Sequence, residues 1–319
     1  MEEQLKKHIE KNIKPAIFNL NKYNSISIKK LAAGCYNVNY LVKINSKKFV
    51  FRISVHSDDF EGDNLENEFK TLSKLNGFHS PKVFWIDHKF KYPFIVEEFI
   101  KADKIKKLSN SNVINIAKSL AEIHNFSRIN KTKSLSIKKE YFSGFNQRLK
   151  TIRKNPEMHK ELSKYVEKAK KYCESNEDFF KRKSDIKLLH GDMHCGNIFL
   201  KDNKVVFIDW ENNEYNDPVF DIVAFFYESE NLQYFNENNS ISNEHKRIFL
   251  KEYSKINKDK NLKQKLEIIY PLRWLSDTLW LACRIVDYEN IPKDLQEKLK
   301  EEYLRLYDFN MRKLQQLWK

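Results

Sequence analysis

Apolar and polar residues alternate along "ISIKKLAAGCYNVNYLVKINSKKFVFRI", Ile26 to Ile53, with two interruptions, one around Gly34 and one at Asn45-Ser46. A period of two broken by turn residues predicts three strands joined by tight turns. The stretch "NLENEFKTLSKL" then puts Leu65, Phe69, Leu72 and Leu75 on one helical face, with Glu66 and Glu68 elsewhere on the same short helix. "KVFWIDHKFKYPFIVEEFI" reads as one more hairpin. From Ser109 the period lengthens to that of a helix, and Val113, Ile116, Ala117, Leu120, Ala121 and His124 share a face.

The remainder reads as mostly helical. The exception is "DIKLLHGDMHCGNIFLKDNKVVFIDWEN", whose apolar runs near Asn197-Leu200 and Val205-Asp209 flank a turn-like "KDNK". The pattern predicts a small antiparallel sheet carrying one helix over residues 1–100, then a larger, mainly helical part over 101–319. No repeat or low-complexity tether separates them, so the expected boundary is a hinge.

Composition supports a folded chain. Of 319 residues, 41% are hydrophobic, too much apolar surface to leave in water, and only 6 Gly and 7 Pro favour helices over a turn-rich all-β fold. The formal charge of +14 would suit nucleic acid if gathered on one face. Instead, lysine pairs such as Lys29-Lys30 and Lys170-Lys171 are scattered among acidic residues, as on a solvated surface, and no nucleic-acid partner is expected. Cys35, Cys173, Cys195 and Cys283 stand far apart, as in a reducing compartment. The opening "MEEQLKKHIEKNIKPAIF" has no apolar signal-like core, and no long uncharged apolar run follows, so the chain reads as cytoplasmic with no membrane partner.

The polar insertion "LLHGDMHCGNIFL" carries the candidate chemistry. Asp192 and Asn197 lie five residues apart on a loop entering a strand, and Asp209 ends the next strand. Phosphoryl transfer needs such an oxygen set: one carboxylate to take the proton of an attacking hydroxyl, and an amide oxygen and second carboxylate to hold Mg²⁺ on nucleotide phosphates. Asp192 is the candidate base. The competing reading makes these three residues turn formers and caps. His190, His194 and Cys195 raise zinc, but no second ligand pair stands at zinc-site spacing.

"LHGDMHCGN" followed by "FIDWE" resembles the catalytic block of the aminoglycoside phosphotransferase and choline kinase superfamily, H-G-D-x-x-x-x-N with I-D-[FW]-[EG]. The resemblance implies an α+β, two-lobe protein-kinase-like fold and a cytoplasmic phosphotransferase using ATP or GTP with Mg²⁺. It makes Asp192 the catalytic base and Asn197 and Asp209 the metal ligands. His190 then organises the loop, and Asp221 braces it. "AAGCYNVNYLV" matches the nucleotide-phosphate loop in placement, with the backbone amides around Gly34 and Asn37 facing phosphate oxygens. Cys35 and Tyr36 stand where the choline-kinase branch has G-G-x-[ST]-N. Arg52 in "FVFRI" replaces the phosphate-gripping strand lysine, with Glu68, or else Glu66, as its helix partner. "VEEFI", with Glu97 and Phe99, corresponds to the hinge that binds adenine through its backbone.

For the acceptor, Arg52, Glu211 in "IDWE" and "LSDTLWLACRIVDYEN" resemble the choline and ethanolamine kinase branch, in which tryptophans cage a quaternary ammonium. Trp280 falls on the first cage position, Cys283 on the second, and Gln233 with Tyr234 near the expected tyrosine. Trp274, Trp280, Tyr227 and Tyr234 equally fit core aromatics at helical spacing. Alternatives are an aminoglycoside or other sugar kinase using Glu211, Glu214, Asp277 and Asp287, a protein kinase, or a catalytically dead basic binding protein.

Overall fold

The computed structural model describes residues 1–33, 37–55, 64–105, 107–126, 132–133, 136–180, 184–201, 204–230, 240–287 and 293–319. The chain forms two compact units. The first comprises Met1–Ile105, His190–Asp192 and Gly196–Glu214, and the second the rest. A sequence boundary near residue 100 therefore does not convey that the "HGD" and "FIDWEN" segments, far along the chain, fold with the first unit.

In the first unit, helix α1 (Glu2–Asn12) precedes strands β1 (Ile26–Ala33), β2 (Asn37–Ile44) and β3 (Lys47–Ser54). Helix α2 (Asn64–Leu75) and strands β4 (Val83–Asp87) and β5 (Phe94–Glu98) complete a five-stranded antiparallel sheet of order β1-β2-β3-β5-β4. The Asn45-Ser46 interruption is a two-residue turn, with Ile44 paired to Lys47. Asn45 takes a left-handed backbone (φ 54°), which asparagine tolerates, and its side-chain oxygen accepts from the amides of Asn24 and Ser25.

Strand alternation divides the sheet into two chemistries. Phe49, Phe51 and Ile53 on β3 join Phe94 and Val96 of β5 in a core closed by Leu5 and Ile9 of α1 and by Phe18. Val50 and Arg52 take the other face of β3, and in register with them on β5 are Glu97 and Ile95. Leu65, Leu72 and Leu75 of α2 are buried as the helical pattern requires; Glu68 on the same helix is also buried. The late segment adds the antiparallel hairpin Ile198–Lys201 with Lys204–Phe207, extended by the short strand Asp103–Lys104.

The second unit is mainly helical, with α3 (Asn110–Phe126), α4 (Ile137–Ile152), α5 (Pro156–Phe180), α6 (Val219–Glu230), α7 (Asn243–Ile256), α8 (Leu262–Val286) and α9 (Lys293–Leu317). The predicted apolar face of α3 is buried, and α3 packs along α7. His124 on that face contacts Asp221 of α6 through Nε2 (3.1 Å) and the Tyr253 hydroxyl of α7 through Nδ1 (2.7 Å). Helix α8 packs against α4, α5, α6 and α9. No helix among the described residues is long and apolar enough to cross a membrane.

A buried charge pair anchors α6 to α8. Lys265, 8% exposed, meets the fully buried Asp217 at 2.5 Å and Asp259 at 2.7 Å, and Asp217 also accepts from the Val219 amide at the start of α6. Removing one member of such a pair strands the other charge in the interior, which costs about 3–5 kcal/mol. Lys265→Met, which strands the fully buried Asp217, is expected to lower the unfolding free energy read from urea titration by that order, and Asp217→Ala, which leaves Lys265 its Asp259 partner, by less; a Lys265→Met midpoint equal to wild type would show the pair carries no stability.

Candidate active site

Arg52 is the organising residue of the first unit's polar face. Only 4% exposed, it donates from Nε to Glu68 Oε2 (3.1 Å) and from Nη2 to Asp209 Oδ1 (2.5 Å) and Glu211 Oε2 (2.7 Å). The other oxygen of Glu68 accepts from the Trp210 amide (3.0 Å), so α2 holds the "IDWE" turn through one carboxylate. Asn213 reinforces that attachment by accepting from Asn67 and Thr71 of α2. The buried Trp210 indole donates to Phe207 O and packs against the His190 ring at 4.7 Å.

His190 clips the two loops together. Its Nε2 donates to Ile208 O (2.9 Å), which leaves Nδ1 to accept from the Asp192 amide (3.3 Å), and burial at 0% exposure keeps this neutral arrangement from water. Gly191 has φ 82°, and a Cβ there would stand 2.0 Å from the Asn212 carbonyl oxygen, so only glycine lets the chain pass. Asn197 donates from Nδ2 to both the backbone oxygen and Oδ2 of Asp192 (3.1 Å each). Asp209 itself is left-handed (φ 67°), an unusual backbone for a residue other than glycine or asparagine that costs about 1–2 kcal/mol and aims its carboxylate.

The charge balance of this cluster is acidic. Arg52 is held ionised because Glu68 and Asp209 outweigh the burial that would lower its pKa. One guanidinium serves four carboxylates, however. Burial, and then neighbouring negative charge, pushes Glu68 up to about 7, Glu97 up to about 8, and Glu211 above its ordinary value. The charges raising Glu211 include both Asp209 and Asp192. Such a site is short of positive charge. The candidate metal donors here are oxygens: the Asp209 carboxylate and the side-chain carbonyl of Asn197, whose amide nitrogen is turned to Asp192. That set fits a hard divalent cation shared with phosphate oxygens. Among the described residues no group of three His, Cys, Asp or Glu stands together as a metal site.

The other expected site residues stand as follows. Asn37 is buried at the start of β2 and donates to Glu211 Oε2, a contact that sequence spacing could not reveal. Gly34 and Tyr234 lie outside the described residues. Glu97 belongs to the β5 ladder, paired with Val50 and Val83, and its buried side chain shares the Arg52 face; β5 ends at Glu98 and Phe99 follows it. Glu66 pairs with Lys70 and His88, so Glu68 is the helix partner of Arg52. In the second unit, Trp280 is half-buried, edge-on to Tyr303 (6.0 Å), with the Arg284 guanidinium carbon 5.2 Å from its ring centroid. Trp274 is fully enclosed and meets Tyr227 edge to face at 4.6 Å.

The family model for choline/ethanolamine kinase matches residues 26–308, most of the chain. This chain belongs to the choline/ethanolamine kinase family. It is a kinase, and its family implies ATP, a divalent metal and a small-molecule acceptor. Among solved structures it is similar to the choline kinase of Cryptosporidium parvum Iowa II, at 17% identity and TM-score 0.71, covering 99% of this chain and 96% of that one. It is also similar to a choline kinase of Streptococcus pneumoniae (19% identity, TM-score 0.62, 96% and 99% covered). A spectinomycin phosphotransferase solved with ADP and spectinomycin shares the fold at 15% identity and TM-score 0.59, with 90% and 89% covered. No curated protein matches the chain significantly. These likenesses establish the α+β, protein-kinase-like fold.

A carboxyl whose pKa rises on folding binds its proton more tightly in the folded state, so stability is fullest below the unfolded value and falls as pH climbs. For Glu97 that window runs from 4.5 towards about 8. The melting temperature of the ligand-free kinase is expected to decline across it, and Glu97→Gln should flatten the decline; parallel curves for variant and wild type would place the lost stability elsewhere.

Proposed function

We propose that this kinase transfers the γ-phosphate of ATP, with Mg²⁺, to the hydroxyl of a small amino alcohol of the choline or ethanolamine type. The observation that carries the reading is the joining of Arg52 to Glu68, Asp209 and Glu211, beside an Asn197–Asp192 pair that frees the amide oxygen. Asp192 accepts the acceptor's hydroxyl proton, and the Asn197 amide orients that carboxylate. Asn197 and Asp209 would hold the metal, which when bound neutralises charge on the triphosphate. Arg52, fixed by Glu68, orients phosphate oxygens, and Asn37 fixes Glu211 at their side. Gly34 in the phosphate loop, and the main chain of Glu97 and Phe99 beside the adenine, carry the nucleotide reading taken from the resemblance.

For the acceptor, Trp280 supplies a ring face that already attracts the Arg284 cation, and a ligand ammonium would take its place. Trp274, Tyr234 and Glu211 complete the acceptor residues implied by the resemblance, with Trp274 acting from the interior as support. A polycationic aminoglycoside asks for several available carboxylates. Asp277 pairs with Arg273 (2.5 Å) and Asp287 with Lys154 (2.6 Å), which favours an acceptor carrying one positive charge.

Asp192→Ala should cut turnover by about 10²–10⁴ with nucleotide affinity nearly intact, read by ADP release and by titration calorimetry; joint loss of both would make Asp192 a structural residue. Asp209→Ala should weaken magnesium-dependent nucleotide binding, and unchanged binding would remove it from the metal set. In an ADP-release panel of choline, ethanolamine, aminoglycosides and simple sugars, with ATP and with GTP, the amino alcohols should be turned over fastest. Trp280→Ala should then raise the KM for choline about tenfold with a smaller change in kcat, and an unchanged KM would overturn the ring's role.

A further inference from the structure

The second unit carries an open cavity of about 1020 Å³ that the phosphotransfer chemistry does not use. Lys168, Lys171, Tyr172 and Ser175 line it from one face of α5. Lys263, Leu266, Glu267, Tyr270 and Pro271 line it from one face of α8. Both sets follow the three- and four-residue spacing of a single helical stripe. The lining residues Phe226, Leu266 and Trp318 are each buried.

The walls are built and fixed. Pro271 has no N–H, so the Glu267 carbonyl one turn earlier lacks its helical donor, and the Tyr172 hydroxyl donates to it instead (3.4 Å), tying α5 to α8. Tyr172 also meets Trp318 edge to face at 5.3 Å, and Lys168 Nζ donates to the Trp318 carbonyl oxygen at 2.8 Å. Tyr270 donates to Glu230 (2.5 Å), and the Lys246 ammonium lies 4.8 Å from the Tyr270 ring centroid.

The charge lining this space is lopsided, with five lysines against one glutamate. Glu230 neutralises Lys246, and Glu267 lies 3.9 Å from Lys263 in an exposed pair worth little. Lys171 makes no ion pair with a described carboxylate. An apolar concavity of this size with a few convergent charges is the usual form of a small-ligand site. Its aromatic and leucine walls suit a hydrocarbon body, and the surplus ammonium groups suit an anionic head.

We propose that this cavity binds a single-chain anionic amphiphile, its apolar body against Phe226, Leu266 and Trp318 and its carboxylate or phosphate at Lys171 and Lys168. The lining shares no residue with the nucleotide or acceptor sets, so the proposal stands or falls independently of the acceptor.

Titration calorimetry of the full chain with decanoate, decyl phosphate, uncharged decyl maltoside and inorganic phosphate, all below micelle formation, tests it. The two anionic amphiphiles should bind in saturable fashion and the maltoside and inorganic phosphate at least about tenfold more weakly. Lys171→Glu should weaken decanoate about tenfold, and Leu266→Trp, which fills the space, should abolish binding while ADP release with the best acceptor persists. A second variant, Ser175→Trp at the solvent-facing side, keeps the test valid if Leu266→Trp unfolds. Equal binding of decanoate and decyl maltoside, binding indifferent to Lys171→Glu, or no binding of either anion would overturn the proposal. Preference for decanoate over decyl phosphate, or the reverse, would identify the head group within it.

Discussion

A single guanidinium, taken out of water and surrounded by carboxylates, sets the terms for the whole first unit. Burying Arg52 without partners would be prohibitive, so the fold must bring Glu68 from a helix and Asp209 and Glu211 from a distant turn to it. Burial, and then the negative charge of their neighbours, raises the pKa of Glu68 and Glu211 above the ordinary carboxyl value. Structure and chemistry share the same imbalance: the arrangement that completes the polar face of β3 also leaves negative charge for a divalent cation to settle.

Around that centre, precision comes from backbone more than from side-chain packing. Gly191 admits a carbonyl where any Cβ would collide, Asp209 is turned into the left-handed region, and one imidazole ties both loops by its two nitrogens. A site meant to position reacting oxygens gains from such over-determined loops, since small displacements are costly in phosphoryl transfer. In a flexible loop the same Asp and Asn would be ordinary turn formers.

Much of this was legible in the chain. Alternation gave β1 to β3 and their turn, the three-to-four period gave α2 and α3, and the spacing of Asp192, Asn197 and Asp209 pointed to phosphoryl transfer. Other features had no local signal. Glu68 sits on an amphipathic helix where a glutamate reads as solvated, and its burial depends on an arginine sixteen residues earlier in the chain. Asn37 meeting Glu211 and Asn213 meeting Thr71 join residues more than a hundred positions apart, which periodicity cannot see. Trp274 and Trp280 looked alike in sequence, yet one is sealed inside its unit and the other keeps an accessible edge. The lysine surplus around Tyr172 and Tyr270 was likewise invisible, because it is assembled from separate helices.

The discontinuous makeup of the first unit bears on the order of events at the ribosome. Its sheet and α2 emerge early, yet its remaining members, His190–Asp192 and Gly196–Glu214, follow only after three long helices have been translated. Until then Arg52 has only Glu68 and Glu97 as counter-charges, and the hairpin does not exist. The nascent sheet therefore waits, its charge cluster half assembled, for roughly as much polypeptide again as it already contains.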